Sequence, residues 1–450
     1  MAQQTSSSGR GWIVVLAALG INLILGALYA WSVVGGALKK PPFNWTQTQA
    51  NLPFAVATAV FAVTMIFAGR VQDKLGPRAI TILGGLMLGG GMIASAFTTT
   101  PLFMCLTFGV IGGMGIGFGY AATTPASMKW FHPSRKGLIA GIVVSGIALA
   151  SVYMAPLTRY LLTFLTLQST LISLGVGTAI VVPLLSLLMI NPPAGYVPAA
   201  PASSASARKR ALPNRGDRDW NQVLTTPQFY LLWVTFILAA TPGLMILVNA
   251  INIAKLVNPA KVGPIFSALD SFFKTFPSLA KFIPLDAGVI MVMTLGIFNM
   301  VGRLLSGYVS DRIGRTNTMI MAFVLQALNM FLFARYTTFD MLVFGAAFTG
   351  LCYGAIFTLM PAAMADFFGV KNLGVNYGLL FTAFGIAGAT GSLLGGQVAD
   401  LLGSYDRAYI TVAIMLLAAG VLAFLTRAPK GPADGRGFEV VMGKQEVAKA

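Results

Sequence analysis

Acid is scarce in this chain. Of 450 residues only 13 are Asp or Glu, against 30 Lys and Arg, and charged residues of both signs make up 10%. A soluble domain carries about 25% charged residues, so a water-soluble globular protein is excluded. A single histidine, His132, excludes a His-rich metal site. Two cysteines, Cys105 and Cys352, both in apolar segments, give neither a disulfide framework nor a cysteine metal cluster. Gly113, Gly115 and Gly117 look like a nucleotide loop by letter only, because they fall mid-way along an apolar run, where glycine serves close helix packing. No nucleotide-binding domain is recognisable, and no cofactor, metal or catalytic constellation is indicated, so an enzyme and an ATP-driven pump are not expected. The excess of base gives a formal net charge of +17. Its cations sit in short loops between apolar runs, so nucleic acid is not the partner they imply. The opening MAQQTSSSGRGW leads into an apolar segment without a small-residue cleavage site, so that segment is expected to be a retained span and not a signal peptide.

What is present is apolar: 56% hydrophobic residues, mean hydropathy +0.78 and 50 glycines. Runs long enough to cross about 30 Å of hydrocarbon fall near 12–36, 51–70, 79–98, 102–127, 137–160 and 167–190, then near 228–254, 286–309, 316–336, 340–365, 374–398 and 407–427. The expected fold is an all-α membrane protein of twelve transmembrane helices in two six-helix pseudo-repeats. Its expected parts are a tail over 1–11, a first half over 12–190, a linker over 191–226, a second half over 227–427 and a tail over 428–450. The linker is polar and carries Arg208, Lys209, Arg210, Arg215 and Arg218. The side holding both termini and the linker takes 20 Lys and Arg, the opposite side nine. The positive-inside rule then predicts cytoplasmic termini in a multi-pass plasma membrane protein, here a bacterial inner membrane. In the long loop over 255–285, Phe266, Leu269, Phe272, Phe273 and Phe276 share roughly one helical face, which reads as an interfacial helix, a lid, or an insertion without a role.

The halves repeat. Gly69-Arg-Val-Gln-Asp73-Lys-Leu-Gly76-Pro-Arg78 follows the second run, and Gly307-Tyr-Val-Ser-Asp311-Arg-Ile-Gly314-Arg315 follows the eighth. Both read G-x-x-x-D-[KR]-x-G at an offset of 238; Pro125 to Phe131 and Pro361 to Phe367 echo each other at an offset of 236. Duplicated halves with a site between them at mid-bilayer are a transporter design. Gly69 and Gly307 are expected to let helices approach closely. Asp73 and Asp311 are expected to take hydrogen bonds from a neighbouring helix end or to pair with Arg78 and Arg315, latching one conformation.

Arg303 lies inside the eighth run, and no Asp or Glu lies inside any run to neutralise it. A mid-bilayer charge costs several kcal/mol unless something offsets it. An anionic substrate is the simplest partner, and a guanidinium's planar fork suits a carboxylate. Asn299 stands four residues earlier, one helical turn away on the same face.

The doubled loop motif and twelve runs resemble the major facilitator superfamily. Several stretches are similar, more narrowly, to the oxalate/formate antiporter family and its monocarboxylate-transporting relatives: Gly26-Ala-Leu-Tyr29-Ala-Trp31-Ser32, Gly115-Ile-Gly-Phe-Gly-Tyr120 with Lys129-Trp130-Phe131, Thr226-Pro-Gln-Phe229, and Asn299-Met-Val-Gly-Arg303. The resemblance implies that Arg303, four residues before Gly307, binds the substrate carboxylate with Asn299 beside it, and that Tyr29 and Tyr120 line the cavity. It also places Tyr353 and Phe357 where the oxalate carrier has a tryptophan and a tyrosine. Phe381 and Phe384 are further expected walls. The carrier's second cation, a lysine, falls by its spacing from Asn376-Tyr377-Gly378 on Phe384, so it is absent here. One arginine and aromatic walls suit one carboxylate with a small apolar tail, such as lactate, pyruvate or formate, better than a dianion. The resemblance further implies a monomer in the lipid bilayer that works by alternating access, with either a co-transported proton or a counter-transported anion. An oxalate/formate-type exchanger is the alternative, and a multidrug exporter a remoter one.

Overall fold

Hydrocarbon offers backbone N–H and C=O groups no partner, so a chain of apolar runs must bond internally, as helices. The computed structural model describes residues 2–132, 135–193, 196, 217–255, 263–276, 287–369 and 372–426. Twelve helices in it are long and apolar enough to cross a membrane. They are α1 (Gly9–Leu38), α2 (Gln47–Ala68), α3 (Leu75–Ser95), α4 (Pro101–Met128), α5 (Leu138–Phe164), α6 (Leu167–Ser186), α7 (Pro227–Lys255), α8 (Ala287–Ile313), α9 (Arg315–Phe333), α10 (Phe339–Phe368), α11 (Leu373–Leu402) and α12 (Asp406–Leu425). The face where α1 begins is called the near face below, the opposite one the far face.

Four helices that start at the far face, α2, α4, α6 and α10, open on a threonine N-cap. Thr46, Thr100, Thr166 and Thr338 each sit in extended backbone and accept a bond from the N–H three residues on. Thr46 forms a full capping box with Gln49.

Helix α1 is not uniform. Residues Gly26–Ala30 tighten into a 3-10 segment before the helix resumes at Trp31, and Tyr29 lies in it. Helix α4 opens into a π-helical stretch over Cys105–Gly112. The apolar pattern marks such runs only as spans; these local changes of pitch have no hydropathy signature.

The repeat has a backbone counterpart. Gly76 (φ 78°, ψ 164°) and Gly314 (φ 90°, ψ 158°) close the two copies of the loop motif in the same conformation, one that is essentially reserved to glycine. At Gly307, by contrast, an added Cβ would meet Thr358 Cγ2 at an ordinary 3.5 Å, so close approach is not what that position demands. Gly69 and Asp73 are described as helical backbone only, not in burial or side-chain contacts, and Arg78 is exposed. Arg315 Nη1 pairs with Asp311 Oδ1 at 2.9 Å and Arg315 Nε with Asp366 Oδ2 at 3.6 Å. Both contacts join α8, α9 and α10 of one half, and neither crosses between halves.

The linker cations Arg208, Lys209, Arg210 and Arg215 also lie outside the described residues. Of the 255–285 loop, residues 263–276 are described and hold a helix, Pro264–Thr275. Asp340 Oδ2 caps it by accepting from the Ile265 N–H at 2.9 Å, and Phe272 and Phe276 pack ring to ring, 5.0 Å apart.

Across the interface between halves α2 lies against α11 and α5 against α8; within the second half α8 lies against α10. The α8–α10 contact is backbone to backbone. A Cβ at Gly354 would stand 2.1 Å from the Asn299 carbonyl oxygen, so only glycine fits there. That contact sets the height and rotation of the α8 turn bearing Asn299 and Arg303.

We expect Gly76→Ala and Gly314→Ala each to destabilise the protein by about 1–3 kcal/mol, while Gly307→Ala changes it little. Thermal unfolding in detergent checks this; equal losses at Gly307 and Gly314 would contradict the conformational argument.

Candidate functional site

The centre of the molecule holds a small cavity lined by Leu25, Gly26, Leu28 and Tyr29 of α1, Phe61 of α2, Tyr120 of α4, Ile147 of α5, Arg303 of α8, Phe357 of α10, and Phe381 and Phe384 of α11. Its free volume is about 20 Å³, room for about one water molecule, so a larger occupant requires the walls to move.

Arg303 is 6% exposed. Its Nε donates to Asn299 Oδ1 at 2.9 Å, one turn back on α8, and its Nη1 to the Val144 carbonyl of α5, in the other half, at 3.3 Å. Its guanidinium carbon stands 4.5 Å from the centre of the Phe357 ring, a cation–π contact. Asn299 Nδ2 lies 3.5 Å from the Tyr29 hydroxyl. Tyr29 and Tyr120 line the same cavity as Arg303. Arg303 Nη2 is buried and, among the described residues, makes no hydrogen bond of proper length and angle. No Asp or Glu is among the described residues that line the cavity. A buried cation is thus held by one amide, one carbonyl and one ring face, with a donor left over that points to an acceptor.

The remaining wall is aromatic. Phe381 stacks on Phe384 at 5.0 Å and on Tyr120 at 6.2 Å. Phe61 meets Tyr120, Phe381 and Phe384 edge-on at 5.4–5.9 Å. Phe357 joins Phe384 at 5.7 Å and Tyr353 at 5.1 Å. Of the eight residues expected from sequence, Tyr29, Tyr120, Arg303, Phe357, Phe381 and Phe384 line the cavity itself. Asn299 is bonded to Arg303, and Tyr353 backs Phe357. Phe61 escaped sequence reasoning because it sits in an apolar run without any motif. Its place is seen only in its ring contacts with Tyr120 of α4 and Phe381 and Phe384 of α11.

A second feature had no sequence signal at all. At the far face the halves are joined by a polar seam. Asp400, near the end of α11, accepts from the backbone N–H groups of Gln47 and Thr48 through its two oxygens, both at 2.8 Å. A carboxylate thereby sits on the positive N-terminal end of α2. Gln47 and Asn51 of α2 donate to Asn249 Oδ1 of α7 at 3.0 Å, and Asn51 to the Ser392 carbonyl at 2.8 Å. Lys39 Nζ donates to Gln47 Oε1 at 2.9 Å; partial burial holds the Lys39 ammonium below its ordinary pKa, opposed by the Asp400 charge.

Twelve membrane-crossing helices in two pseudo-equivalent halves, meeting around a buried polar and aromatic cavity, define a multi-pass membrane transporter. The chain matches the Major Facilitator Superfamily family model over residues 11–273 and 262–446, and it belongs to that superfamily. It is 27% identical over 381 residues to an uncharacterized MFS-type transporter, YhjX, of Escherichia coli (strain K12), covering 83% of this chain and 85% of the relative. It is 26% identical over 427 residues to the oxalate:formate antiporter of Oxalobacter formigenes, covering 94% and 92%. With monocarboxylate transporter 13 of Rattus norvegicus it shares 23% identity over 431 residues, covering 93% and 89%.

We expect Asp400→Asn to loosen the far-face seam, since an amide places no charge on the α2 N-terminus. In a Ser392→Cys background, alkylation by a membrane-impermeant maleimide should accelerate about fivefold; an unchanged rate would show that Asp400 does not hold the seam.

Proposed function

We propose that the protein is a secondary carrier of small carboxylate anions working by alternating access, with Arg303 binding the carboxylate and Asn299 orienting it. The observation that carries this reading is the Arg303 Nη2 donor, buried without a hydrogen bond among the described residues beside a cavity whose described lining holds no acid. A carboxylate entering there would neutralise the guanidinium and satisfy the spare donor through the same fork. Tyr29 and Tyr120 supply hydroxyls beside it, and Phe61, Phe357, Phe381 and Phe384 enclose the rest of the substrate. Such walls suit a short apolar tail, and Arg303 is the one cation among the described lining residues. This favours a monocarboxylate such as lactate, pyruvate or formate. The names of the two relatives above, an oxalate:formate antiporter and a monocarboxylate transporter, support the substrate class.

The cation asymmetry of the loops, 20 against nine, supports a near face, with both termini and the linker, on the cytoplasmic side by the positive-inside rule, and we read the membrane as a bacterial inner membrane. The far face, closed by the Asp400 seam, is then the outer one. An empty site leaves Arg303 with an unsatisfied charge in the region the halves must occlude, whereas a loaded site is neutral. The loaded carrier should therefore change conformation faster than the empty one, which favours exchange.

Uptake of labelled lactate into proteoliposomes loaded with buffer, lactate or oxalate, with and without a pH gradient, tests this. Arg303→Ala should lower uptake by at least about a hundredfold with the protein still folded and monodisperse; near-normal uptake by that variant would refute the assignment. A cation at position 384 would face the same cavity as Arg303. Phe384→Lys is therefore expected to raise the ratio of oxalate to lactate transport, and an unchanged ratio would separate Phe384 from substrate choice.

A further inference from the structure

A cavity larger than the central one lies elsewhere in the described molecule. It opens at the far face, holds about 570 Å³, and three of its lining residues are the cations Lys40, Arg159 and Lys255. Those three come from separate elements: the turn after α1, the last turns of α5, and the end of α7. Thr166 and Gln168, the N-cap and second residue of the 20-residue helix α6, also face it, which adds the positive end of a helix dipole to the same space. No Asp or Glu is among its described lining residues. Arg159 and Lys255 have further interactions of their own, so it is the summed field of three cations and a helix end that matters here, not a vacant valence. Low-dielectric walls around charges of one sign focus that field into the cavity.

Its place in the architecture gives the field a use. The wall includes Ile251 and Lys255 of the second half, while the rest is built from the first half, so the cavity lies on the seam that must part when the far face opens. An added Cβ at Gly36 of α1 would meet Ile251 at 3.4 Å, which marks where the two halves touch in that wall. Val33, also in the wall, is four residues along α1 from Tyr29 of the central site, about 6 Å of helix.

We propose that this vestibule is a second anion-binding site, which gathers small carboxylates at the far face and delivers them to Arg303. The delivery role rests on the reading of Arg303 as the carboxylate site; anion binding by the vestibule does not. The test is initial-rate uptake of labelled lactate into right-side-out and inverted membrane vesicles, comparing wild type with the triple variant Lys40→Gln/Arg159→Gln/Lys255→Gln. In low salt the KM measured from the far face should rise about tenfold with the maximal rate unchanged. The KM from the near face should stay the same. The difference should shrink at about 0.15 M salt, where the screening length is about 8 Å. The charge-keeping variant Lys40→Arg/Arg159→Lys/Lys255→Arg should restore the wild-type KM. Unchanged far-face KM, or equal changes on both faces, would overturn the proposal. So would an effect that is present in vesicles containing phosphatidylglycerol and absent in phosphatidylcholine alone, since the cations would then serve lipid phosphates. If the wild type moves no carboxylate, the Arg303 reading fails, and equilibrium binding of labelled oxalate to purified Arg303→Ala protein decides the vestibule by itself. Salt-sensitive binding that the three glutamines abolish supports it, and its absence overturns it.

Discussion

A guanidinium held in the middle of a membrane protein without a counter-carboxylate is an unstable arrangement unless its surroundings share the charge. Around Arg303 the sharing is spread over an amide one turn away, a carbonyl of the opposite half and the face of Phe357. The Val144 carbonyl makes the charge a contact between halves. Any ligand that competes for the guanidinium also competes for that bridge. The bare backbone contact between α8 and α10 at Gly354 keeps the α8 turn in place. The cation is therefore positioned by rigid elements while its bond across the interface stays exchangeable.

The far face applies the same physics with the sign reversed. There Asp400, an exposed carboxylate, is the charged partner, and its counter-charge is the N-terminal end of α2. A carboxylate on free N–H groups is well satisfied but easily remade with water once the helices separate, which suits a closure that has to reopen. The amide cluster of Gln47, Asn51 and Asn249 adds direction without adding charge.

The fold was legible because its causes are local. Run length, the scarcity of charge and the repeat of G-x-x-x-D-[KR]-x-G are each read within a few dozen residues, and the glycine-only conformation shared by Gly76 and Gly314 follows from the last of these. Much of the cavity was legible too, since Arg303 is anomalous in its own run and Asn299 lies one turn from it. Phe61 was not, because nothing in α2 sets it apart. The pairing of Asp311 with Arg315 was legible, but the Arg315 contact with Asp366 was not, because no motif could say which helix end each charge would meet.

By itself, the sequence determined that this chain crosses a membrane twelve times, that it does so in two related halves, and that a single cation is buried among apolar spans. These follow from the cost of exposing peptide groups and charge to hydrocarbon, which any stretch of chain feels alone. Only the tertiary structure decided which carbonyl shares the Arg303 charge, which rings close the cavity, that Asp400 caps α2 across the interface, and that Lys40, Arg159 and Lys255 face one space. Each of those depends on residues from tens to hundreds of positions apart meeting at a few ångströms, and helix packing, not local pattern, sets such meetings.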